Sequence, residues 1–599
     1  MCGICGFFGF NDSALLKRMT ICLTHRGPNN KGFFEDKNVS LGFRRLSIID
    51  LSAKGNQPIF NEDKSVAAIF NGEIYNFLEL KSELEKKGHR FEGNSDGETI
   101  VHLFEEYREK FVEKLSGMFA IALWDSKSKT LFLARDRMGK KPLYYFQNGT
   151  KFLFASEIKS IFQSAEIQRT VNSNAIDFFL SMRCMPGNEA FFEGIKKVLP
   201  GEIVVVSNAG ITKSKFFEIN MAQKIFGEQK AISEFSVAFD KSVKDRLISD
   251  VPLGVFLSGG LDSSAIVAVM SKYAVEPIKT FTAGFGTEND EFVFAKRIAD
   301  KFGTDHSEVL VDLDDFTKSF PQIVWHLDEP VADPAIFPTF FVSALAKKRA
   351  TVALLGEGSD ELFAGYSRYT NFGGLNRFLP QRLKAKMYFN MDVAFRGSEK
   401  NKVYSEKLKA KNSGLFEKFY DNFFSQKRGE FVNRALEFDI SHSLPNYQLM
   451  RVDKLSMAHG LEARAPFLSQ DVVSVAEKTA LSLKIRGRTG KFIVRKHFQQ
   501  ILPKEMFYEK KRIFSVPIRQ WFDTGFEEIA KQLLEKRLVE KRGHFNYTFI
   551  EKLFSKRKGI FSSRASNQLW MLSMLELWQR MFIDQEKMPQ NFVQLKKFM

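Results

Sequence analysis

The pattern of apolar residues changes near residue 225, and this change limits the folds that the chain can adopt. After this point, strand-like apolar runs alternate with segments of helical length, a pattern typical of parallel βαβ units with right-handed crossovers. Beyond about residue 375 the pattern is mostly helical. The sequence therefore predicts a C-terminal α/β domain with a parallel sheet and a helical extension. The predicted strands are Val251–Leu257, Ile278–Ala283, Ser307–Val311 and Thr351–Leu355, and the predicted helices are Ser263–Tyr273, Glu291–Phe302, Phe316–His326 and Thr339–Ala350.

Residues 1 to about 210 form a different pattern, in which short β-branched and aromatic runs are bounded by turn signals such as Asn148-Gly149. Two segments with helical spacing, Phe77–Lys87 and Glu98–Tyr107, interrupt these runs. Strands in hairpin order with few helices favour an α+β layered domain. We expect the linker between the two halves near Asn220–Glu228. The predicted strands are Gly3–Phe10, Ser65–Phe70, Phe119–Trp124, Thr130–Ala134, Leu143–Phe146 and Phe152–Ala155.

The composition is that of a globular protein with more than one domain. The 599 residues exceed what a single hydrophobic core supports. The net charge of +17 comes from interspersed lysines and arginines, and no basic block with interleaved aromatic residues indicates a nucleic-acid surface. Four cysteines are too few for a disulfide framework in this length. We find neither a basic-then-apolar leader nor an apolar run of about 18 residues, so we expect a cytoplasmic protein with no membrane partner.

Cys2 follows the initiator methionine, and removal of Met1 would give it both a thiol and a free α-amine. These groups titrate near ~8.5 and ~7.7–8.0, so the amine can take the thiol proton without a histidine. The alternative for Cys2-Gly3-Ile4-Cys5 is a redox or metal site, but a second Cys-x-x-Cys pair or a histidine at zinc spacing is missing.

The strongest internal motif is Ser258-Gly259-Gly260-Leu261-Asp262-Ser263-Ser264, which follows an apolar strand and begins a helix. Glycines allow close backbone approach to a ligand, and a helix start attracts phosphate. An aspartate in such a site indicates Mg²⁺ between it and the phosphates. The motif is not a P-loop, because the string G-x-x-x-x-G-K-[ST] does not occur. It resembles the pyrophosphate-binding loop of enzymes that attack the α-phosphate of ATP.

A second predicted strand ends in Leu355-Gly356-Glu357-Gly358-Ser359-Asp360-Glu361. Open parallel sheets bind ligands at the carboxyl ends of their strands, so this acidic turn and the first loop should meet. We predict that Asp360 shares Mg²⁺ with Asp262. Glu357 could then orient or deprotonate an attacking amine.

Together these motifs resemble the glutamine-hydrolysing asparagine synthetases, and the resemblance covers nearly the whole chain. It implies a class II glutamine amidotransferase domain over residues 2–215, an αββα sandwich of the N-terminal-nucleophile type. It also implies an asparagine-synthase-like amide-forming domain over residues 225–599. The stretches that carry the resemblance are Met1–Ile4, His25–Pro28, Arg45–Asp50, Gln57-Pro58, Asn71–Asn76, Ser95–Glu98, Gly117–Ala120, Arg135–Gly139, the Ser258 loop, Asp328–Pro330, Gly356–Tyr366, Asp453–Met457 and Glu462–Leu468.

The resemblance implies that Cys2 attacks the side-chain amide of glutamine, frees ammonia and forms a thioester. Asn71 and Gly72 would hold the oxyanion, and losing one such donor typically costs ~100–1000-fold in rate. Arg45 would pair with the glutamine α-carboxylate, and Asp96 and Glu73 with its ammonium group. The implied glutamine-binding residues are Arg45, Leu46, Ser47, Ile48, Ile49, Asn71, Gly72, Glu73 and Asp96.

In the second half, the resemblance implies that a substrate carboxylate attacks ATP and that ammonia then displaces AMP. Glu357 and Lys511 would be catalytic, and Lys511 would stabilise charge on the departing phosphates. Ammonia would reach this site through an internal tunnel, because ammonia released to solvent is mostly protonated at neutral pH. The implied ATP-binding residues are Leu257, Ser258, Gly259, Gly260, Leu261, Asp262, Ser263, Ser264, Ala283, Leu355 and Gly356.

The sequence departs from the family pattern at four positions near these motifs. Leu355 stands where serine is usual, Asn29 and Ser469 where aspartate is usual, and Ile513 where glycine is common. None of these changes removes a proposed catalytic group, but together they leave the acceptor open. Aspartate is the leading acceptor, and a sugar uronate or a peptide carboxylate is the alternative.

Two further hypotheses assign the chain to other classes. A nucleic-acid-modifying adenylating enzyme would use the same loop but gives no role to Cys2, Asn71 and Asp96. A non-catalytic scaffold would lack the nucleophile, the nucleotide loop and the acidic turn, all of which are present. The expected partners are therefore glutamine, ATP, Mg²⁺ and the acceptor. A homodimer is compatible with the sequence, which does not determine the oligomeric state.

Overall fold

A computed structural model describes residues 2–221, 227–287, 290–372, 378–391, 393–412, 414–426, 429–508, 516–557 and 562–592. Predicted features that fall elsewhere, including Lys511, Ile513 and part of the predicted linker, lie outside the described residues. No helix among the described residues is long and apolar enough to cross a membrane.

The N-terminal part is a sandwich of two antiparallel sheets with helices on both outer faces. In the described chain, one sheet has the strand order β10-β8-β9-β1-β3-β2 and the other β12-β11-β7-β6-β5-β4. The strands are β1 Gly3–Phe8, β2 Asn30–Asp36, β3 Val39–Arg45, β4 Ile59–Phe60, β5 Val66–Ile74, β6 Gly117–Asp125, β7 Thr130–Arg135, β8 Tyr144–Asn148, β9 Lys151–Ala155, β10 Ile195–Lys197, β11 Glu202–Ser207 and β12 Gly210–Lys215. The helices are α1 Ser13–Cys22, α2 Phe77–Lys86, α3 Glu98–Tyr107, α4 Phe111–Lys114, α5 Ile158–Ile161 and α6 Ser173–Met182.

Alternating side chains of the facing strands form the core of the sandwich. Ile4 and Leu41 of the first sheet pack with Ile69 and Leu133 of the second in one buried cluster. Helix α1 covers the outer face of the first sheet, and α3 covers the second through Ile100 and neighbouring apolar residues. The predicted αββα arrangement is therefore confirmed, and α3 has the predicted bounds.

The second part is built on a parallel sheet with the order β15-β14-β13-β16-β17 in the described chain. Its strands are β13 Leu253–Phe256, β14 Lys279–Gly284, β15 Asp305–Leu310, β16 Val352–Leu354 and β17 Glu462–Arg464. The first helices are α7 Glu228–Asp245, α8 Leu261–Met270, α9 Phe292–Phe302, α10 Leu313–Leu327, α11 Ile336–Lys347 and α12 Ser359–Leu362. The predicted α/β domain is confirmed.

The helical extension also follows the prediction, with one exception. Strand β17 lies in the region with a mostly helical pattern, and its three residues pair in parallel with β16. A strand this short has no periodicity of its own to detect. The helices of the extension are α13 Ser367–Thr370, α14 Gln381–Asn390, α15 Gly397–Val403, α16 Glu406–Asn412, α17 Leu415–Gln426, α18 Phe431–Phe438, α19 Leu449–Met457, α20 Gln470–Lys478, α21 Leu481–Lys484, α22 Phe492–Phe498, α23 Glu505–Tyr508, α24 Ile518–Trp521, α25 Glu527–Leu533, α26 Lys536–Arg542, α27 Tyr547–Lys556 and α28 Ser562–Phe582.

Candidate active sites

Cys2 lies at the start of β1, where the first sheet faces the second. Its backbone nitrogen donates a hydrogen bond to Asn71 Oδ1 on β5, at 2.9 Å. Its Sγ lies 4.0 Å from the carbonyl oxygen of Leu46. Burial raises the pKa of the Cys2 thiol, so the thiol needs a base before it can act as a nucleophile.

This hydrogen bond through Oδ1 orients the side-chain amide of Asn71 and leaves its Nδ2 group as a donor for another acceptor. Asn71 is fully buried, and its Nδ2 has no hydrogen-bond partner among the described residues. A buried donor without a partner costs free energy, and at a functional site it marks the position of an absent acceptor. Gly72 follows on the same strand, and a Cβ there would lie 1.9 Å from the Met118 carbonyl oxygen. Only glycine therefore fits this β5–β6 pairing.

Arg45 ends β3 and lines an open cleft of about 520 Å³ together with Leu46, Ser47 and Asn29. Its guanidinium is held by the loop that follows: Nη1 donates to Ser52 O at 2.7 Å and to Asn56 Oδ1 at 2.8 Å. Asn29 Oδ1 accepts from the Ser47 nitrogen at 3.0 Å, so this departure from the family pattern shapes the cleft wall.

Two buried carboxyl groups lie on the other side of the site. Asp96 Oδ2 accepts from the Ile74 nitrogen at 2.7 Å, and burial raises the pKa of Asp96 to about 6. Burial also raises the pKa of Glu73 well above its ordinary value. Glu73 Oε2 has no hydrogen-bond partner among the described residues. These two groups can accept a cation, which would restore their charge.

The second domain completes this pocket through β17. Arg464 Nη2 lies 3.5 Å from Glu73 Oε1, and Arg464 Nε pairs with Glu462 Oε1 at 2.5 Å. Both Arg464 and Glu462 are fully buried. The sequence motif around these residues was recognised, but their contact with the first domain depends on tertiary structure.

The Ser258–Ser264 loop lies at the carboxyl end of β13, in the middle of the parallel sheet. Gly259 has a φ of +68°, and a Cβ there would lie 2.5 Å from the backbone of Phe294. Helix α8 begins after Gly260 without a side-chain cap, so its first N–H groups can meet an anion. Leu257, Ala283 and Leu355 lie at the ends of β13, β14 and β16, next to this loop. The predicted ATP-binding residues are thus brought together.

Asp262 and Asp360 converge as predicted, but around a lysine that the sequence analysis did not identify. Lys491 Nζ lies 2.6 Å from Asp262 Oδ2 and 2.9 Å from Asp360 Oδ1. Burial disfavours the charge of Lys491, but the two carboxylates outweigh it and raise its pKa to about 12. Gly365 allows this approach, because a Cβ there would lie 2.1 Å from Lys491 Cε. In the sequence, no local motif distinguishes Lys491 from the many other lysines of the chain.

Glu357 faces the same strand ends and is held by Arg451 of α19. Arg451 Nη2 donates to Glu357 Oε1 at 2.6 Å, and Nη1 pairs with Asp333. Burial raises the pKa of Glu357. Arg451 is a second functional residue that the sequence analysis missed, because its partners are 94 and 118 positions away.

Buried charges and a small cavity lie where the two domains meet. Arg26 Nε donates to the Cys2 carbonyl oxygen at 3.1 Å, and Arg26 Nη2 pairs with Asp453 Oδ2 at 2.8 Å. Asp453 Oδ1 lies 3.3 Å from Lys141 Nζ. A cavity of about 20 Å³ has Met118 and Lys141 on one side and Leu355 and Asp453 on the other. This volume suits a molecule of the size of water.

Comparison with known proteins agrees with this two-site organisation. The glutamine amidotransferase domain matches residues 1–217, and the asparagine synthase domain matches residues 234–580. Glutamine-hydrolyzing asparagine synthetase 1 of Bacillus subtilis is 34% identical over 99% of this chain and 98% of its own length. The chain belongs to the asparagine synthase family. As a member, it is an amidotransferase of the glutamine-hydrolysing asparagine synthetase type, a ligase, as the sequence analysis predicted.

Two other proteins that are less than 30% identical also align over most of the chain. Glutamine-hydrolyzing asparagine synthetase 3 of Bacillus subtilis is 29% identical over 90% of this chain and 90% of its own length. Amidase chry2 of Gibberella zeae is 27% identical over 90% of this chain and 91% of its own length. The proteins to which this chain is similar thus carry different names, asparagine synthetase and amidase.

Proposed function

We propose that the chain converts aspartate to asparagine, using ATP to activate the carboxylate and glutamine to supply the nitrogen. The observation that carries this proposal is the pair of sites in one chain: Cys2 with its oriented Asn71, and the Ser258 loop with its acidic turn. The names of the asparagine synthetase relatives support aspartate as the acceptor. The products are asparagine, glutamate, AMP and pyrophosphate.

The first reaction begins after removal of Met1, which turns the Cys2 nitrogen into an amine. This amine takes the thiol proton, and the thiolate attacks the amide carbon of glutamine. Asn71 Nδ2, the donor without a partner, and the Gly72 N–H stabilise the resulting oxyanion. The C–N bond then breaks, the amine returns the proton, and ammonia leaves. Water hydrolyses the thioester to glutamate.

Glutamine is held by opposite charges at its two ends. Arg45 binds the α-carboxylate, with its guanidinium already aimed by Ser52 and Asn56. Asp96 and Glu73 receive the α-ammonium, which would ionise groups whose pKa burial has raised. The pocket formed by Asp96 and Glu73 also excludes substrates that lack a positive charge at the position of the α-ammonium.

In the second reaction, an oxygen of the acceptor carboxylate attacks the α-phosphorus of ATP, and pyrophosphate leaves. The Ser258–Ser264 loop and the start of α8 bind the phosphates. Asp262 and Asp360 offer converging carboxylate oxygens, so they would hold Mg²⁺, which would neutralise phosphate charge when bound. Lys491 lies between these carboxylates and adds a positive charge for the departing pyrophosphate. Lys511 keeps the role that the resemblance implies.

Ammonia then attacks the acyl-adenylate carbon and displaces AMP. Glu357 takes a proton from the attacking nitrogen, since burial raises its pKa and Arg451 fixes its position. We propose that ammonia travels through the cavity beside Asp453, which lies between the two sites. Its walls shield ammonia from protonation in bulk solvent.

The acceptor is tested by AMP release with a panel of carboxylic acids in the presence of glutamine and ATP. We expect AMP with aspartate, and AMP only with a sugar uronate or a peptide acid would favour the alternative acceptor.

Cys2→Ala should abolish the glutamine-dependent reaction but keep the reaction with a high concentration of ammonium salt. Loss of both reactions in a folded variant would contradict separate sites.

Lys491→Ala tests the lysine between the carboxylates. Removing its charge should lower the rate of AMP formation at least ~100-fold, the scale for one electrostatic contact to a transition state. Glutaminase activity should be preserved. Lys496→Ala is the matched control, because Lys496 is exposed on α22, the helix that follows Lys491. Equal AMP rates in both variants would remove Lys491 from the mechanism.

A further inference from the structure

A cluster of histidine and glutamate side chains lies in the first domain, outside both proposed active sites. Glu62, His89, His102 and Glu105 each place one nitrogen or oxygen so that the four atoms lie within 4.8 Å of one another. Glu62 follows β4, His89 follows α2, and His102 and Glu105 are three positions apart on α3. Three separate segments therefore meet at one point.

His102 is the buried member of the cluster and has unused nitrogens. Its residue exposure is 1%, and neither Nδ1 nor Nε2 has a hydrogen-bond partner among the described residues. Nδ1 faces Glu62 Oε2 at 3.4 Å and Glu105 Oε2 at 3.6 Å. A buried imidazole without a partner but facing two carboxylates indicates a missing cation.

The remaining atoms of the cluster are oriented by a second set of contacts. His89 turns Nδ1 toward Glu62, and its Nε2 lies 3.3 Å from Glu106 Oε1. Glu62 Oε1 accepts from the Arg90 nitrogen at 3.0 Å, and Glu105 Oε1 accepts from Asn61 Nδ2 at 2.8 Å. Carboxylate–histidine pairs and hydrogen-bonded carboxylates of this kind surround metal sites, where they fix the orientation of the ligands.

We propose that His89, His102, Glu62 and Glu105 bind a divalent transition-metal ion of the zinc type. Two imidazole nitrogens and two carboxylate oxygens suit tetrahedral zinc, whereas Mg²⁺ and Ca²⁺ prefer oxygen ligands alone. The ion would join the turn after β4, the segment after α2 and helix α3. It has a structural role, because the chemistry proposed above uses none of these residues.

The full chain, stripped with a chelator, is tested by equilibrium dialysis against Zn²⁺ followed by elemental analysis. All variants carry Cys2→Ser, so that the reactive thiol does not contribute. We expect one bound equivalent that excess Mg²⁺ or Ca²⁺ does not displace. With Co²⁺, the visible spectrum should show d–d bands without thiolate charge-transfer bands. Glu106→Gln should weaken Zn²⁺ binding by about 10–100-fold through its effect on His89.

His102→Gln should lose the bound equivalent. Glu105→Gln covers the case in which the buried substitution prevents folding, because Glu105 is partly exposed. His306→Gln is the matched control, since His306 pairs with Glu308 in the other domain and should leave Zn²⁺ binding unchanged. Zn²⁺ should raise the Tm of the parent and of His306→Gln but not of Glu105→Gln. The proposal would be overturned if the parent binds no equivalent, or if folded His102→Gln and Glu105→Gln bind as much Zn²⁺ as the parent.

Discussion

Two buried carboxyl groups lie in the proposed glutamine site, next to an arginine, Arg464, that also pairs with Glu462. Asp96 and Glu73 are 4% exposed each, and their pKa values are raised because burial disfavours the charged form. Arg464 is close to Glu73 but is shared with Glu462. A bound ammonium group therefore gains from two carboxylates that have few alternative partners. In the proposed glutamine site, this arrangement would favour an amino acid with a free α-amine.

Asp96 should produce an acidic limb in the pH profile of glutamine hydrolysis. Its pKa is raised to about 6, so the carboxyl is neutral below this pH and charged above it. Because the charged form binds the ammonium group, kcat/KM should fall as the pH decreases through about 6. The glutaminase rate measured from about pH 5 to 8 checks this, with Asp96→Asn as comparison. The Cys2 α-amine should add a separate fall near its own pKa of ~7.7–8.0 in both proteins. An unchanged kcat/KM below pH 6, or a fall near pH 6 that persists in Asp96→Asn, would contradict the role of Asp96.

At the scale of elements, the loop after β3 acts as a frame for Arg45. Four backbone or side-chain oxygens between residues 49 and 56 surround its guanidinium. Asp50 adopts a positive φ of 53°, which turns its carbonyl toward Arg45. Gly55 lies against the same guanidinium, where a Cβ would be 2.2 Å from Nη2. The loop therefore determines where the arginine points.

Gly55→Ala should displace Arg45 and weaken glutamine binding. A charged hydrogen bond contributes about 1.5–3 kcal/mol, so the KM for glutamine should rise about 10–100-fold. The ammonia-dependent reaction should not change, because it does not use Arg45. Gly397→Ala is a suitable control, since a Cβ there would lie 3.3 Å from Glu417 Oε1, the end of a flexible side chain. An unaltered KM for glutamine would show that the loop tolerates the methyl group.

At the scale of the whole molecule, the two domains share a buried ionic network. Asp453 uses one oxygen for Arg26 and the other for Lys141, and its side chain is 1% exposed. Arg26 in turn contacts the carbonyl oxygen of Cys2. Lys159 and Lys454 pair with Asp328 in the same interface. The ion pairs of Arg26, Lys141 and Lys159 join the domain that carries Cys2 to the domain that carries the Ser258–Ser264 loop.

Asp453→Asn should lower the free energy of unfolding and weaken the coupling between glutamine hydrolysis and AMP formation. Removing one partner of a buried ion pair costs about 3–5 kcal/mol, because the remaining charge stays buried. Since Asp453 also lines the cavity, more glutamate should form per AMP than in the parent. Denaturant unfolding and the glutamate-to-AMP ratio measure these effects. Asp63→Asn, which breaks the exposed pair with Lys127, should change neither; similar results for both variants would argue against a special role of the interface.

Local patterns were sufficient for much of the fold. Helix α3 has the bounds predicted from its periodicity, and the ends of β13 and β14 lie one or two residues from their predicted positions. Strand β17 could not be predicted, because three residues carry no periodic signal and their pairing with β16 is a long-range contact. Lys491 and Arg451 could not be predicted as site residues for the same reason, because their partners are distant along the chain.

The sequence by itself determined the residue types that chemistry requires: a thiol at Cys2, an amide at Asn71, glycines in the Ser258 loop and carboxylates after β16. These depend on local bond geometry and on motifs that are contiguous. Only the tertiary structure decided that Lys491 lies between Asp262 and Asp360, that Arg464 reaches Glu73, and that four side chains from three segments meet around His102. Distances between residues far apart in sequence depend on the packing of whole elements, which local patterns do not specify.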